Sequence, residues 1–314
     1  VRQIENRFGW SKSRAESFDY CLRKYWWSYY GSWKGWEPDA PPQAREAWLL
    51  KTLHSRWSWV GQVVHTFIER MLKHVSEEAG SLGLGGKTID VSAEVEALTQ
   101  TMRTQFRESR AGSYRADPRR FVGLLEHEYG DPVTDDEWRE VHRRAVESIR
   151  RFLSSDTFAR LRESDPRTWI GVERLDSFDL DGVPVWVVLD FALRTPAGAE
   201  VYDWKTGEER LEDERAQMLC YALYLEAAHQ TPPGSVTCHV VNVRTGTSRA
   251  FTPTREELAT ARESMRRSIG EMRRRVRDPF ENVADMLAFP MTEDAAKCVP
   301  CAYRRICAAS RAPG

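Results

Sequence analysis

The sequence predicts an α/β fold: a mixed central sheet flanked by helices, with a helical insertion ahead of the sheet and a cysteine clamp joining the two ends of the chain. Three observations predict it. In the second half, alternating and buried apolar runs give the order β-β-β-α-β, which after a preceding helix makes a mixed sheet. Residues 91–162 are Arg/Glu-rich and helical in pattern, with breaks around 116–118 and 130–132. Cys21 lies near the start, and Cys298, Cys301 and Cys307 lie near the finish as C-x2-C-x5-C.

Taken in order, residues 1–60 are dense in tryptophan: Trp10, Trp26, Trp27, Trp33, Trp36, Trp48, Trp57 and Trp59. These either fill a core or offer faces on which bases stack. Residues 59–75 place Val64, Phe67, Ile68, Met71 and Leu72 at helical spacing, with His65 on the shoulder of the stripe. The glycine-rich run SLGLGGKT at 81–88 lacks the first glycine of a phosphate-binding loop and follows a helix, so it reads as a surface loop. A helical region thus spans 61–165. A core over 166–277 follows: strands at 171–178, 183–193 and 199–204, a helix at 210–229, strands at 235–243 and near 249–252, and a helix at 255–277. Asp181-Gly182 marks a hairpin turn between the first two strands. Residues 278–314 carry the last three cysteines.

The charged residues nearly cancel, 46 Lys+Arg against 47 Asp+Glu, so overall charge announces no nucleic-acid partner. Local charge is stronger: 143–151 and 266–277 are Arg-rich, either solvated helix faces or stripes that meet phosphates. No run reaches the ~18 apolar residues of a membrane helix and no signal peptide opens the chain, so the expectation is a cytoplasmic protein without membrane contact. Six cysteines are too few for a disulfide scaffold. Cys220 and Cys238 lie inside apolar runs and read as small buried hydrophobes.

The chemistry concentrates at Asp190, Asp203 and Lys205. On a strand, residues i and i+2 share a face, so Asp203 and Lys205 emerge together. Asp190, near the end of the preceding antiparallel strand, comes within reach of Asp203. Facing carboxylates repel unless a hard divalent cation neutralises them, and such a cation can activate water against a phosphodiester. Lys205 beside it can orient or deprotonate that water. Gln217 and Tyr221 fall at i, i+4 on one face of the next helix, where they either line a groove or serve the core. His65 adds an imidazole, which binds a metal such as Mn²⁺.

Together these pieces resemble the RecB-like branch of the PD-(D/E)XK nuclease superfamily: G-x-x-x-H at 61–65, Asp190 on the long second strand, D-W-K-T-G at 203–207 and Q-x-x-x-Y at 217–221. The resemblance implies a restriction-endonuclease-like core. Its Mg²⁺ or Mn²⁺ would be held by His65, Asp190, Asp203 and the backbone carbonyl of Trp204. Lys205 would be the catalytic base or water-positioner, and Gln217 and Tyr221 would support the site and contact DNA. One position departs: where the family often has Gly two residues before the first Asp, this chain has Val188. Glu173 is a candidate extra carboxylate, expected to be structural or supporting.

The cysteine spacing suits tetrahedral Zn²⁺ or an iron–sulfur cluster, since thiolates bind both. Ser13, Phe18, Cys21 and Tyr25 fall in the S-x4-F-x2-C-x3-Y spacing of the Fe–S nucleases, a group that includes the AddB-type subunit and the CRISPR-associated RecB-like exonucleases. That resemblance implies a [4Fe-4S] cluster on Cys21, Cys298, Cys301 and Cys307. It further implies an exonuclease on single-stranded DNA or DNA ends, 5′→3′, with a helicase or a CRISPR-adaptation protein as partner. Two other readings stand beside it: a non-catalytic DNA-binding subunit keeping fold and cluster, and a DNA endonuclease.

Overall fold

A computed structural model describes residues 5–82 and 89–309. The glycine-rich stretch expected as a surface loop at 81–88 lies almost entirely outside them. Two short helices open the chain, α1 (Lys12–Tyr20) and α2 (Leu22–Trp26), continued by one π-helical turn at Trp27–Gly31. Next come α3 (Pro42–Lys51) and α4 (Arg56–Leu82), the latter longer at both ends than the apolar spacing alone indicates. Then follow α5 (Val91–Arg110), α6 (Leu125–Tyr129), α7 (Asp135–Leu153) and α8 (Asp156–Glu163). The Asp90 side chain caps α5, and a reciprocal Thr134–Glu137 capping box starts α7.

The sheet has five strands in the order β1 (Trp169–Leu180), β2 (Val183–Thr195), β3 (Gly198–Lys205), β4 (Val236–Asn242) and β5 (Thr247–Phe251). Asp181 and Gly182, both at positive φ, close the β1–β2 hairpin in the left-handed geometry that suits the strand twist. β3 and β4 are parallel. A parallel pair needs a long crossover, which α9 (Leu211–His229) supplies. After β5, α10 (Arg255–Arg273) ends four residues before the Arg-rich run does, and α11 (Arg304–Ala309) closes the described chain.

Two apolar cores sandwich the sheet. One joins Phe18 of α1, Met218 and Tyr221 of α9 and Met265 of α10 to Val183, Val185, Val187 and Leu189 of β2. The other joins α4, α5, α7 and α8 to Phe191, Leu193, Tyr202 and Trp204. β2 therefore changes the face it buries at Asp190, which lies well inside the strand rather than near its end. This is also where β3 stops pairing, since the β2–β3 register runs only from Phe191 to Thr195 on β2. The vacated edge is taken by Trp10, whose N–H donates to the Pro184 carbonyl at 2.9 Å and whose carbonyl accepts from Trp186 N–H at 2.7 Å. A third, smaller core gathers Trp27, Leu50, Tyr114 and Tyr303 from distant parts of the chain. Among the described residues, no helix is long and apolar enough to cross a membrane.

The tryptophans divide accordingly: Trp10, Trp27 and Trp59 are buried, whereas Trp57 is exposed. The Arg-rich stretches are largely answered by protein groups. Arg143 and Arg144 pair with Glu140, Arg151 with Glu147, Arg266 with Asp181 and Arg277 with Asp285.

Candidate active site

The split between β2 and β3 brings together residues that the sequence scatters over 140 positions. Gly61 is the point where α4 passes the exit of β3: a Cβ there would stand 3.3 Å from Thr206 Oγ1. One turn further, His65 faces the split. Its Nδ1 lies 3.0 Å from Glu173 and 3.6 Å from Asp190, and its Nε2 lies 2.9 Å from the Trp204 carbonyl. Asp190 in turn accepts a hydrogen bond from the Trp204 N–H at 2.7 Å. The donor atoms of His65, Glu173 and Asp190 all fall within 4.8 Å of one another.

Glu173, a candidate extra carboxylate expected to be structural or supporting, stands inside the tightest donor group. Its backbone explains how. Glu173 sits on β1 at φ 46, a left-handed conformation rare for a non-glycine residue in a strand. Such strain persists where the surroundings over-determine it, and here it aims a carboxylate at His65. No sequence pattern encodes that turn of the backbone.

Asp203 and Lys205 approach from the other side. Lys205 Nζ is 2.6 Å from Asp203 Oδ2 and donates to Gln217 Oε1 at 2.7 Å. Gln217 Nε2 donates to the Tyr221 hydroxyl at 2.6 Å. The i, i+4 pair on α9 therefore holds the lysine. Tyr221 is only 5% exposed, and its hydroxyl serves Gln217.

Charge is frustrated in this site. Burial, reinforced by Asp203 and Glu173, pushes the Asp190 carboxyl up to about 8 against the opposing pull of His65. Burial also raises Asp203, although Lys205 opposes it. Burial alone would depress His65, but Asp190 and Glu173 outweigh it and lift the imidazole to about 9. Lys205 is likewise raised, Asp203 overcoming the effect of burial. Protons therefore occupy positions where a cation would relieve several carboxylates at once. Imidazole, carboxylate and carbonyl donors are the set that Mg²⁺ or Mn²⁺ accepts, so the residues fit such an ion.

A second constellation lies at the chain ends. Cys21, Cys298, Cys301 and Cys307 line one cavity of about 120 Å³ with Tyr20 and Lys24. Burial pushes the Cys301 thiol up, and Cys21 and Cys307 raise it further, as neighbouring thiolates do. Around the cavity hydrogen bonds also join the early and late segments of the chain. Tyr20 donates to the Lys297 carbonyl at 3.0 Å, Arg23 to the Phe289 carbonyl at 2.8 Å and Trp26 to the Ala284 carbonyl at 2.8 Å.

Two buried carboxylates, a partly buried imidazole and glutamate, and a lysine held beside them at a sheet split form a donor group that suits a divalent cation. The chain belongs to the PD-(D/E)XK nuclease superfamily, whose sequence profile matches residues 9–308. The mixed sheet flanked by helices is the fold of that superfamily, and membership implies metal-dependent nuclease activity. No curated protein matches the chain.

Proposed function

We propose that the protein is a RecB-like, Mg²⁺- or Mn²⁺-dependent exonuclease acting on single-stranded DNA or DNA ends. The observation that carries the reading is the chain of contacts Asp203–Lys205–Gln217–Tyr221, set against His65, Glu173 and Asp190. His65, Asp190, Asp203 and the Trp204 carbonyl would hold the metal, with Glu173 as a further carboxylate. The cation supplies Lewis-acid polarisation of the phosphodiester and a more acidic water. Lys205, kept cationic by Asp203, orients the attacking water and offsets charge on the phosphoryl oxygens. Gln217 fixes the lysine against swinging away, and Tyr221 fixes Gln217. For His65 to take the metal, one of its two ring contacts, to Glu173 or to the Trp204 carbonyl, would give way, leaving the other to orient the ring.

The four cysteines are read as ligands of a [4Fe-4S] cluster, with Zn²⁺ as the competing occupant, and the role of the group is structural. A 5′→3′ direction, a helicase or CRISPR-adaptation partner and a role in repair or defence follow from the family resemblance. The test is incubation with Mn²⁺ and end-labelled single strands, blocked or free at each end, beside Lys205→Ala. Stepwise shortening from free ends only is expected, and the variant is expected to be inactive. Cleavage that persists in Lys205→Ala would remove the lysine from the mechanism. Cuts within doubly blocked strands would make the enzyme an endonuclease. Iron and acid-labile sulfide in the purified protein are expected, and zinc in their place would overturn the cluster assignment.

A further inference from the structure

Many arginines of this chain face a carboxylate, such as Arg70, Arg115 and Arg144, but three on α5 do not. Arg103, Arg107 and Arg110 have no acidic partner among the described residues, and their spacing puts them on one face of the helix. Like charges at that spacing repel, so the arrangement is a standing cost to α5. The three line a cavity of about 470 Å³ between α4, α5 and α7, within the range of small-ligand sites. Its wall is aromatic: Phe106 and Trp138 meet edge to face at 5.0 Å. Trp59 closes it from α4, its indole N–H donating to Gln105 at 2.7 Å. The remaining cation, Arg139, is tied to Asp136. His142 lines the same face and His127 packs against Phe106 and Trp138; burial lowers the pKa of both, with Arg103 acting on His142 and Arg110 on His127.

A group of cations beside aromatic rings suits one ligand chemistry, an anionic phosphate joined to a planar base. We propose that this groove is a nucleotide-binding site separate from the catalytic split: Arg103, Arg107 and Arg110 take the phosphate, and the base lies against Phe106 and Trp138. The ligand is either a free mononucleotide or one unit of a single strand. Trp59 precedes His65 on the same helix by six residues, about 9 Å along the axis. In that second form the proposal rests on the nuclease reading; the binding itself needs no metal.

The experiment uses Lys205→Ala protein in EDTA, so that nothing is cleaved. Binding of a labelled oligothymidylate is followed by anisotropy, with a deoxymononucleotide 5′-phosphate and inorganic phosphate as competitors. Arg107→Gln together with Arg103→Gln is expected to weaken the oligonucleotide about tenfold and to flatten its salt dependence. Trp138→Ala is expected to weaken it about five- to a hundredfold through lost stacking. Competition by the mononucleotide identifies a free-nucleotide site, and binding of the strand alone identifies a strand contact; both support the groove. Inorganic phosphate competing as well as the nucleotide would overturn it. So would unaltered binding in variants whose circular dichroism and melting match the parent. Because Trp138 is half-buried, the glutamine variants keep the test decisive if Trp138→Ala fails to fold. A wild type that never cleaves, with groove binding intact, defeats only the nuclease reading. Normal cleavage with groove variants that bind like the parent defeats only this one.

Discussion

Replacing Asp190 by Asn should make the metal-free protein more stable while destroying its response to metal. The carboxylate is 5% exposed and lies in the field of Asp203 and Glu173. Its one backbone partner, the Trp204 N–H at 2.7 Å, can be kept by an amide oxygen, so the substitution removes charge without removing the bond. Because the raised Asp190 must take up a proton on folding near neutral pH and Asn need not, the substitution is expected to gain on the order of 1–3 kcal/mol. At roughly 2 °C per kcal/mol for a domain this large, that is a rise of about 2–6 °C in Tm. Metal at a hundred times its Kd should stabilise the wild type by about 2.7 kcal/mol and the variant by almost nothing. The pH dependence follows from the same groups. Asp190 raised to about 8 and His65 raised to about 9 mean that the native state binds more protons than the unfolded chain from the ordinary carboxylate range up to about 9. Stability of the metal-free wild type therefore falls as pH rises through that window, and Asp190→Asn flattens the slope. The assay is thermal melting in EDTA and in Mn²⁺ from pH 5 to 9. A variant less stable than wild type in EDTA, or one still stabilised by Mn²⁺ to the wild-type extent, would refute the reasoning.

Gln217→Ala frees Lys205 from its 2.7 Å partner and should lower kcat about 10- to 100-fold with little change in KM; an unaltered kcat in steady-state cleavage assays would remove Gln217 from the positioning role. Phe152→Ala opens a cavity beneath Trp204, whose ring lies 5.4 Å away, and should cost about 3–5 kcal/mol in denaturant unfolding. Gly35→Ala would set a Cβ 2.2 Å from the Ala44 carbonyl oxygen and 2.5 Å from Trp48 Cβ, and should cost about 1–3 kcal/mol by the same measurement. Cys21→Ser should lower Tm and DNA affinity before it lowers the rate on bound DNA. Loss of cleavage with stability and affinity intact would show that the cysteine group does more than hold the ends together.

What the sequence discloses of the site is what local periodicity carries. Asp203 and Lys205 share a strand face by spacing, Gln217 and Tyr221 share a helix face, and the Asp181-Gly182 turn sets the hairpin register. The rest depends on contacts between distant segments. Glu173 reaches His65 through one left-handed backbone angle. β2 changes the face it buries at Asp190 because β3 leaves it there, and a period-two pattern cannot announce a change of neighbour. Trp10 takes the vacated edge across about 175 residues of chain, so its role was invisible among eight early tryptophans. Val188, standing where the resemblance led one to expect glycine, is 42% exposed and packs into neither core, which is why a β-branched residue is accommodated.

The stitching of the two ends also fixes an order of events during synthesis. Trp26 waits for Ala284 across 258 residues, and Tyr20 waits for Lys297 across 277. At translation rates of roughly 5–20 residues per second, that wait lasts on the order of 15–55 s. In the last part of it, once Lys205 has been made, His65, Asp190 and Lys205 all exist while the segment that anchors their scaffold does not. Contacts this distant are also the slowest to find one another once the chain is complete. A growing chain is thus kept from finishing its nuclease until almost its last described residues arrive.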